Sequence, residues 1–126
     1  MQQSPPFLSH AEHIMDPDPV IVYADEPVSV IAALSADHDH VAVVDDMGVF
    51  CGVISPGAVI IDSLATAGSL AEKPAVSAML GEPAFDVVSR MLARRVDWVP
   101  VIDDGRLRGV ITRRCVKAAY GELSAR

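Results

Sequence analysis

Residues 1–72 contain neither lysine nor arginine, and the first basic side chain of this 126-residue sequence is Lys73. An acidic, base-free amino terminus argues against a secretory signal or a transit peptide, so a cytoplasmic location is the expectation. Long apolar runs are missing too. The least charged stretch, Met47 to Ile61, has 15 residues and is broken by Gly48, Gly52, Pro56 and Gly57, too short and too interrupted to span a bilayer. Cysteine is scarce. Cys51 and Cys115 do not fall at equivalent positions of the repeat described below, which suits two buried or half-buried thiols in a reducing compartment rather than a disulfide. Of the four histidines, His10 and His13 lie in a proline-containing leading segment, and His38 and His40 flank Asp39. None has a cysteine or glutamate at a metal-ligand spacing, so they read as solvent-exposed and no metal is expected. A nucleophile–base–acid set and a glycine-rich phosphate loop are also lacking, so the sequence does not read as an enzyme.

What is present is unevenly distributed. The net charge of −7 repels nucleic acid and anionic membrane. Residues 1–72 carry eleven acids and no base, whereas residues 73–126 carry all ten bases and six acids, a net +4. Two readings stay open: the opposite charges orient the pairing of two halves or two chains, or the second half alone offers an anion site. The apolar fraction is 51% and the mean hydropathy +0.33, high for a small domain. Val59-Ile60-Ile61 and the set Val116, Ala119 and Tyr120 carry more apolar surface than one helix face buries. A homodimer is therefore expected.

The sequence also repeats itself. Val41-Ala42-Val43-Val44-Asp45-Asp46-Met47-Gly48, closing with Gly52-Val53-Ile54-Ser55, is echoed by Val99-Pro100-Val101-Ile102-Asp103-Asp104-Gly105, closing with Gly109-Val110-Ile111-Thr112. The offset is 58 residues at Val41/Val99 and 57 at Gly52/Gly109, so the first copy has one extra residue near Met47. Two copies of one small unit are implied, each too short to bury a comfortable core alone.

Within a copy the pattern predicts β-α-β-β-α. Val20–Tyr23 and Ala75–Ala78 read as short extended runs. Glu26-Pro27 and Glu82-Pro83 each open a helix, with Val28, Ile31 and Leu34 matching Phe85, Val88 and Met91. The apolar strands Val41–Val44 and Val99–Ile102 turn at Asp-Asp pairs followed by glycine and return as 49–54 and 107–111. Ser55, followed by Pro56, and Thr112 are then N-caps of closing helices. Residues 1–12 read as a flexible leading segment, 13–68 as the first repeat and 69–123 as the second.

An apolar strand ending in Asp-Asp, then Gly-x-x-[Ser/Thr] opening a helix, twice per chain, resembles the CBS domain family in its tandem form, the Bateman module. The likeness covers about residues 13–122 and is most specific in Trp98–Asp103 with Gly109–Thr112; Ala42 stands where the family usually has proline. It implies an α/β (α+β) fold in which the two repeats pack by pseudo-two-fold symmetry into one globule. It also implies a non-catalytic regulatory module, often dimeric, binding AMP, ADP, ATP or S-adenosylmethionine in clefts and adjusting a partner or attached domain.

The residues give this expectation a local form. Ser55 and Thr112 each place a hydroxyl and free amides at a helix start, which favours a phosphate. Val22 and Val41 in one copy, and Val76 and Val99 in the other, are candidates to sandwich a purine, with Ser77 and Pro100 beside them. The family's aspartate three residues after the hydroxyl, which takes both ribose hydroxyls, is replaced by Ala58 and Cys115. A charge-assisted hydrogen bond contributes about 1.5–3 kcal/mol. Losing the clamp therefore weakens binding by on the order of a hundredfold. Arg113 and Arg114 are placed to compensate through phosphates or to stand solvated, whereas Pro56 and Gly57 offer nothing equivalent. Trp98 either stacks on a base or fills the core. Three functions stay open: an adenosine-ligand sensor, a degenerate docking or dimerisation unit, and a cyclic di-AMP sensor at a dimer interface, as in CBS pairs appended to osmolyte-transporter ATPases.

Overall fold

The computed structural model describes residues 10–27, 41–54 and 65–121. In chain order the elements are α1 (Ala11–Ile14), β1 (Ile21–Tyr23), β2 (Val41–Val44), β3 (Phe50–Ile54), α2 (Ala67–Leu70), α3 (Ala84–Arg94), β4 (Trp98–Asp103), β5 (Arg106–Thr112) and α4 (Arg113–Tyr120). The helices expected after Pro27 and at Ser55–Leu64 lie outside the described residues. Two compact units result. One gathers Pro19–Pro74 with Gly105–Leu107, and the other gathers the residues up to Asp18, Ala75–Asp104 and those from Arg108 on.

In the first unit β1 runs parallel to β2, with Val22 opposite Val43, and β2 runs antiparallel to β3, with Val41 opposite Ile54. All four residues of β2 are buried, as an uninterrupted apolar strand requires cover on both faces. Val22, Val41, Val43, Ile54 and Ala67 form the core of this unit. The β2–β3 turn explains the extra residue of the first copy. Asp45 Oδ1 accepts the amides of Met47 and Val49 at 2.8 and 2.9 Å, and Gly48 takes a φ of 82°. Three residues thus separate the closing pair Asp45 and Val49. The matching β4–β5 turn has only Asp104 (φ 52°) and Gly105 (φ 78°), the two left-handed residues of a type I′ hairpin. Gly105 belongs to the first unit: its carbonyl accepts the Phe50 amide at 2.9 Å, while the Arg106 guanidinium donates to the Met47 carbonyl.

The second unit repeats the plan. Ala78 bridges β4 in parallel through its amide to Pro100 O (3.0 Å) and its carbonyl to the Ile102 amide (2.7 Å). Val76, Val99, Val101 and Ile111 meet Val87, Val88 and Met91 of α3 and Val116 of α4 in one core. The apolar stripe of α3 is turned from the expected one. Ala84, Val87, Val88 and Met91 are buried, and Phe85 is 71% exposed. Val116 is buried and Ala119 and Tyr120 pack against the same core, so this part of the apolar surplus is used within the unit.

The segments that lead into the two repeats dock in matching ways. Ala11 is fully buried and Ile14 nearly so, in the core built by residues 76–116. The Ala11 amide donates to Glu82 O at 2.8 Å, just as the Ala67 amide donates to Glu26 O at 2.9 Å. Both turns carry a reciprocal cap. The Thr66 amide donates to Ser69 Oγ at 3.0 Å, and the His10 amide donates to His13 Nδ1 at 3.2 Å. Each turn runs on into an edge segment. Glu72 exchanges two backbone bonds of 2.9 Å with Val53, and Asp16 exchanges bonds of 2.7 and 2.9 Å with Val110. The edge residues sit so close that a Cβ on Gly52 would lie 2.8 Å from Glu72 O, and one on Gly109 would lie 2.6 Å from Asp16 O. That contact is why the repeat carries glycine there.

A further parallel ends in a difference. Glu26 Oε1 accepts the Tyr23 amide at 3.0 Å and Glu82 Oε1 accepts the Met79 amide at 2.9 Å. Among the described residues Glu82 alone of the two also receives a two-pronged guanidinium, from Arg90 at 2.8 and 3.0 Å, and Arg90 reaches on to Ser77 O at 3.0 Å. The hydrogen bonds from Arg90 hold the Glu82 carboxyl below its ordinary value.

Two expectations follow from these contacts. Gly109→Ala should destabilise the protein by about 1–3 kcal/mol in urea unfolding, because neither backbone can yield without breaking the edge pairing. Gly81→Ala, with nothing within 4 Å of the place its methyl group would take, should change stability far less, and equal losses would refute the explanation. The Glu82 carboxyl has a lowered folded-state pKa, so its stabilisation is present above the unfolded value near 4.5 and is lost as pH falls through the folded value. Arg90 is 40% exposed, so the contribution is about 1 kcal/mol or less. Arg90→Ala should flatten the acid limb of the stability–pH curve, and an unchanged limb would contradict the assignment.

Candidate functional site

The best-built anion-favouring feature among the described residues is the start of α4. Thr112 ends β5 in extended geometry, and its Oγ1 accepts the Cys115 amide at 3.2 Å, as the sequence predicts for an N-cap. Val116 anchors the helix in the core, so Arg113 and Arg114 on its first turn face outward and both are exposed. A helix start favours negative charge through its unpaired amides and dipole. Here those amides are partly used. The Cys115 amide is taken by Thr112, and the Arg113 amide donates to Asp97 O at 3.2 Å. The Arg114 amide has no partner among the described residues.

Side chains repeat the backbone arrangement. Arg113 Nε lies 3.3 Å from Asp97 Oδ1, with both side chains about two-thirds exposed. Beside the pair is a cavity of about 270 Å³ lined by Met91, Leu92, Arg95, Val96, Asp97 and Arg113. Arg95 is held there as the left-handed cap of α3 (φ 55°). Arg95 and Arg114 have no ion pair among the described residues. Arg108 lies 3.7 Å from Asp103, and Arg106 is engaged with the Met47 carbonyl.

Cys115, in the position of the ribose-binding aspartate, is half-buried. Its sulfur takes the Thr112 hydroxyl proton at 3.3 Å and lies 3.8 Å from Val110 O, so the thiol is already satisfied within the unit. Ser77 is exposed and Pro100 fully buried. Val76 and Val99 lie in the core of the second unit, and Val22 and Val41 in that of the first, each at 7% exposure or less. These valines are core residues here, with almost no surface to offer a purine. Trp98 is half-buried. Ser55, Ala58 and His40 lie outside the described residues. Asp97 and Arg95 were not singled out in the sequence; Asp97 meets Arg113 because one immediately precedes β4 and the other immediately follows β5 of the same hairpin.

The thiols are both free, but Cys51 is exposed rather than buried or half-buried. Partial desolvation of its sulfur and the Asp45 carboxylate push the thiol above its ordinary range. Among the described residues, no group of three or more His, Cys, Asp or Glu side chains is arranged to hold a metal. No helix among them is long and apolar enough to cross a membrane.

A CBS domain family model matches residues 11–61 and 67–122, so the chain belongs to the CBS domain family and carries the domain as a tandem pair. Its mixed α+β architecture agrees with solved members. It is similar to CBSX2 solved in complex with AMP (TM-score 0.79, 20% identity, 88% of this chain and 95% of that one). It is also similar to a CBS domain pair solved with methylthioadenosine and S-adenosyl-L-methionine (TM-score 0.73, 21% identity, 90% and 97%). Among curated proteins it is 32% identical over 125 residues to the choline transport ATP-binding protein OpuBA of Bacillus subtilis. That match takes in 90% of this chain but only 31% of the transport protein.

Proposed function

We propose that the chain is a non-catalytic regulatory module that binds an adenosine-containing anion at the start of α4 and passes its occupancy to a partner or an attached domain. The observation that carries this reading is the first turn of α4, where Thr112 caps the helix, the Arg114 amide is open and two guanidinium groups stand outward. Support for the ligand class comes from the adenosine ligands in the solved relatives. The match to OpuBA favours a more particular version, in which the module serves a transport ATPase. On that version cyclic di-AMP joins AMP, ATP and S-adenosylmethionine as a ligand to test.

Binding on this proposal is weak and weighted towards phosphate. The internally satisfied Cys115 thiol offers a ribose diol no carboxylate, while Arg113 and Arg114 offer phosphate two cations. Calorimetry should show affinity rising from adenosine to AMP to ATP and falling with added salt. Replacing Arg113 and Arg114 together by alanine should cost ten- to a hundredfold in ATP affinity, at about 1.5–3 kcal/mol for a charge-assisted contact. Ser55→Ala should leave it nearly unchanged. Tight, salt-insensitive binding of adenosine, or a larger loss from Ser55→Ala, would overturn the assignment.

A further inference from the structure

The group that Arg113 holds is itself an anion. Asp97 presents two oxygens to the same residue: its carbonyl takes the Arg113 amide at 3.2 Å, and its carboxylate stands 3.3 Å from Arg113 Nε. The carbonyl contact continues the β4–β5 pairing, whereas the guanidinium is a donor that an incoming phosphate would use. Asp97 lines the 270 Å³ cavity beside them, and the cavity's other guanidinium, Arg95, has no ion pair among the described residues. We infer that Asp97 is an internal competitor for the Arg113 guanidinium and a specificity-determining residue that disfavours highly charged ligands. The inference rests on the α4 site proposed above and deepens it.

Two effects act together. The Asp97–Arg113 pair is about two-thirds exposed on both sides, so it is weak enough for a ligand to displace, yet always present because it is tethered. Once displaced, the carboxylate stays nearby and repels the ligand, and that repulsion grows with the ligand's charge. A triphosphate therefore suffers more than a monophosphate, which compresses the ATP-over-AMP preference that Arg113 and Arg114 would otherwise give. The carbonyl contact survives replacement of the side chain, so Asp97→Asn keeps the backbone bond while removing the charge.

The test is calorimetric titration of the whole chain, as wild type and as Asp97→Asn, with AMP and with ATP at fixed ionic strength. Asp104→Asn serves as the control, because it removes one acid at a hairpin turn whose left-handed geometry asparagine tolerates. Thermal melting without ligand verifies that each variant folds. Asp97→Asn should bind ATP about three- to tenfold more tightly and AMP by a smaller factor, with Asp104→Asn close to wild type. Wild-type binding with equal or weaker affinity in Asp97→Asn, or equal gains for AMP and ATP, would overturn the inference and leave the α4 site standing. A gain matched by Asp104→Asn would reduce it to net charge. If neither protein binds either nucleotide, the proposed function falls and this inference with it.

Discussion

The contact on which the rest of the fold depends is a backbone crossing too tight for a side chain. At Gly52 and at Gly109 a neighbouring edge segment lies so near that a methyl group would collide with a carbonyl oxygen. That closeness lets Glu72 pair with Val53 and Asp16 with Val110. The paired segments in turn seat the short helices α2 and α1 on the Glu26 and Glu82 turns. Three residues after Gly109 the strand ends at Thr112, and α4 starts. The glycine thus lets the edge of the sheet close, and its strand runs on to the Thr112 cap of α4.

The second constraint is electrostatic. All ten basic residues fall after position 72, and the structure spends several of them locally. Arg90 braces the Glu82 turn, Arg106 holds the Met47 carbonyl, and Arg108 faces Asp103. Arg95, Arg113 and Arg114 are left around the start of α4, with Asp97 the acid among them. Three cations of the basic half are therefore engaged in local contacts, and three others stand near a helix terminus in the field of one carboxylate.

Much of this was legible in the sequence because it is periodic or stereochemical. The β-hairpins announce themselves by Asp-Asp pairs and glycine, and the N-cap by Thr112. The extra residue near Met47 proved to be the difference between a three-residue and a two-residue turn. Other features were not legible. The α3 stripe includes Val87 rather than Phe85, since its apolar arc is wider than the face that packs and Phe85 and Leu92 at one margin stay exposed. Residues 10–18 carry too short an apolar pattern, Ala11 and Ile14, to tie them to residues 75–121, and the rest of their docking is made of backbone hydrogen bonds. The valines proposed as ligand walls could not be told from core valines by residue type. Asp97 carries no motif of its own, although the β4–β5 hairpin register sets it beside Arg113.

The central claim is that ligand meets this chain at the start of α4. A two-dimensional amide NMR titration of the intact chain with ATP tests it most directly. The largest shifts should fall on Asp97, Arg113, Arg114 and Cys115, with the amides of Val41–Val44 and Phe50–Ile54 nearly unmoved. Shifts concentrated on β2 and β3, with the first turn of α4 silent, would contradict the claim.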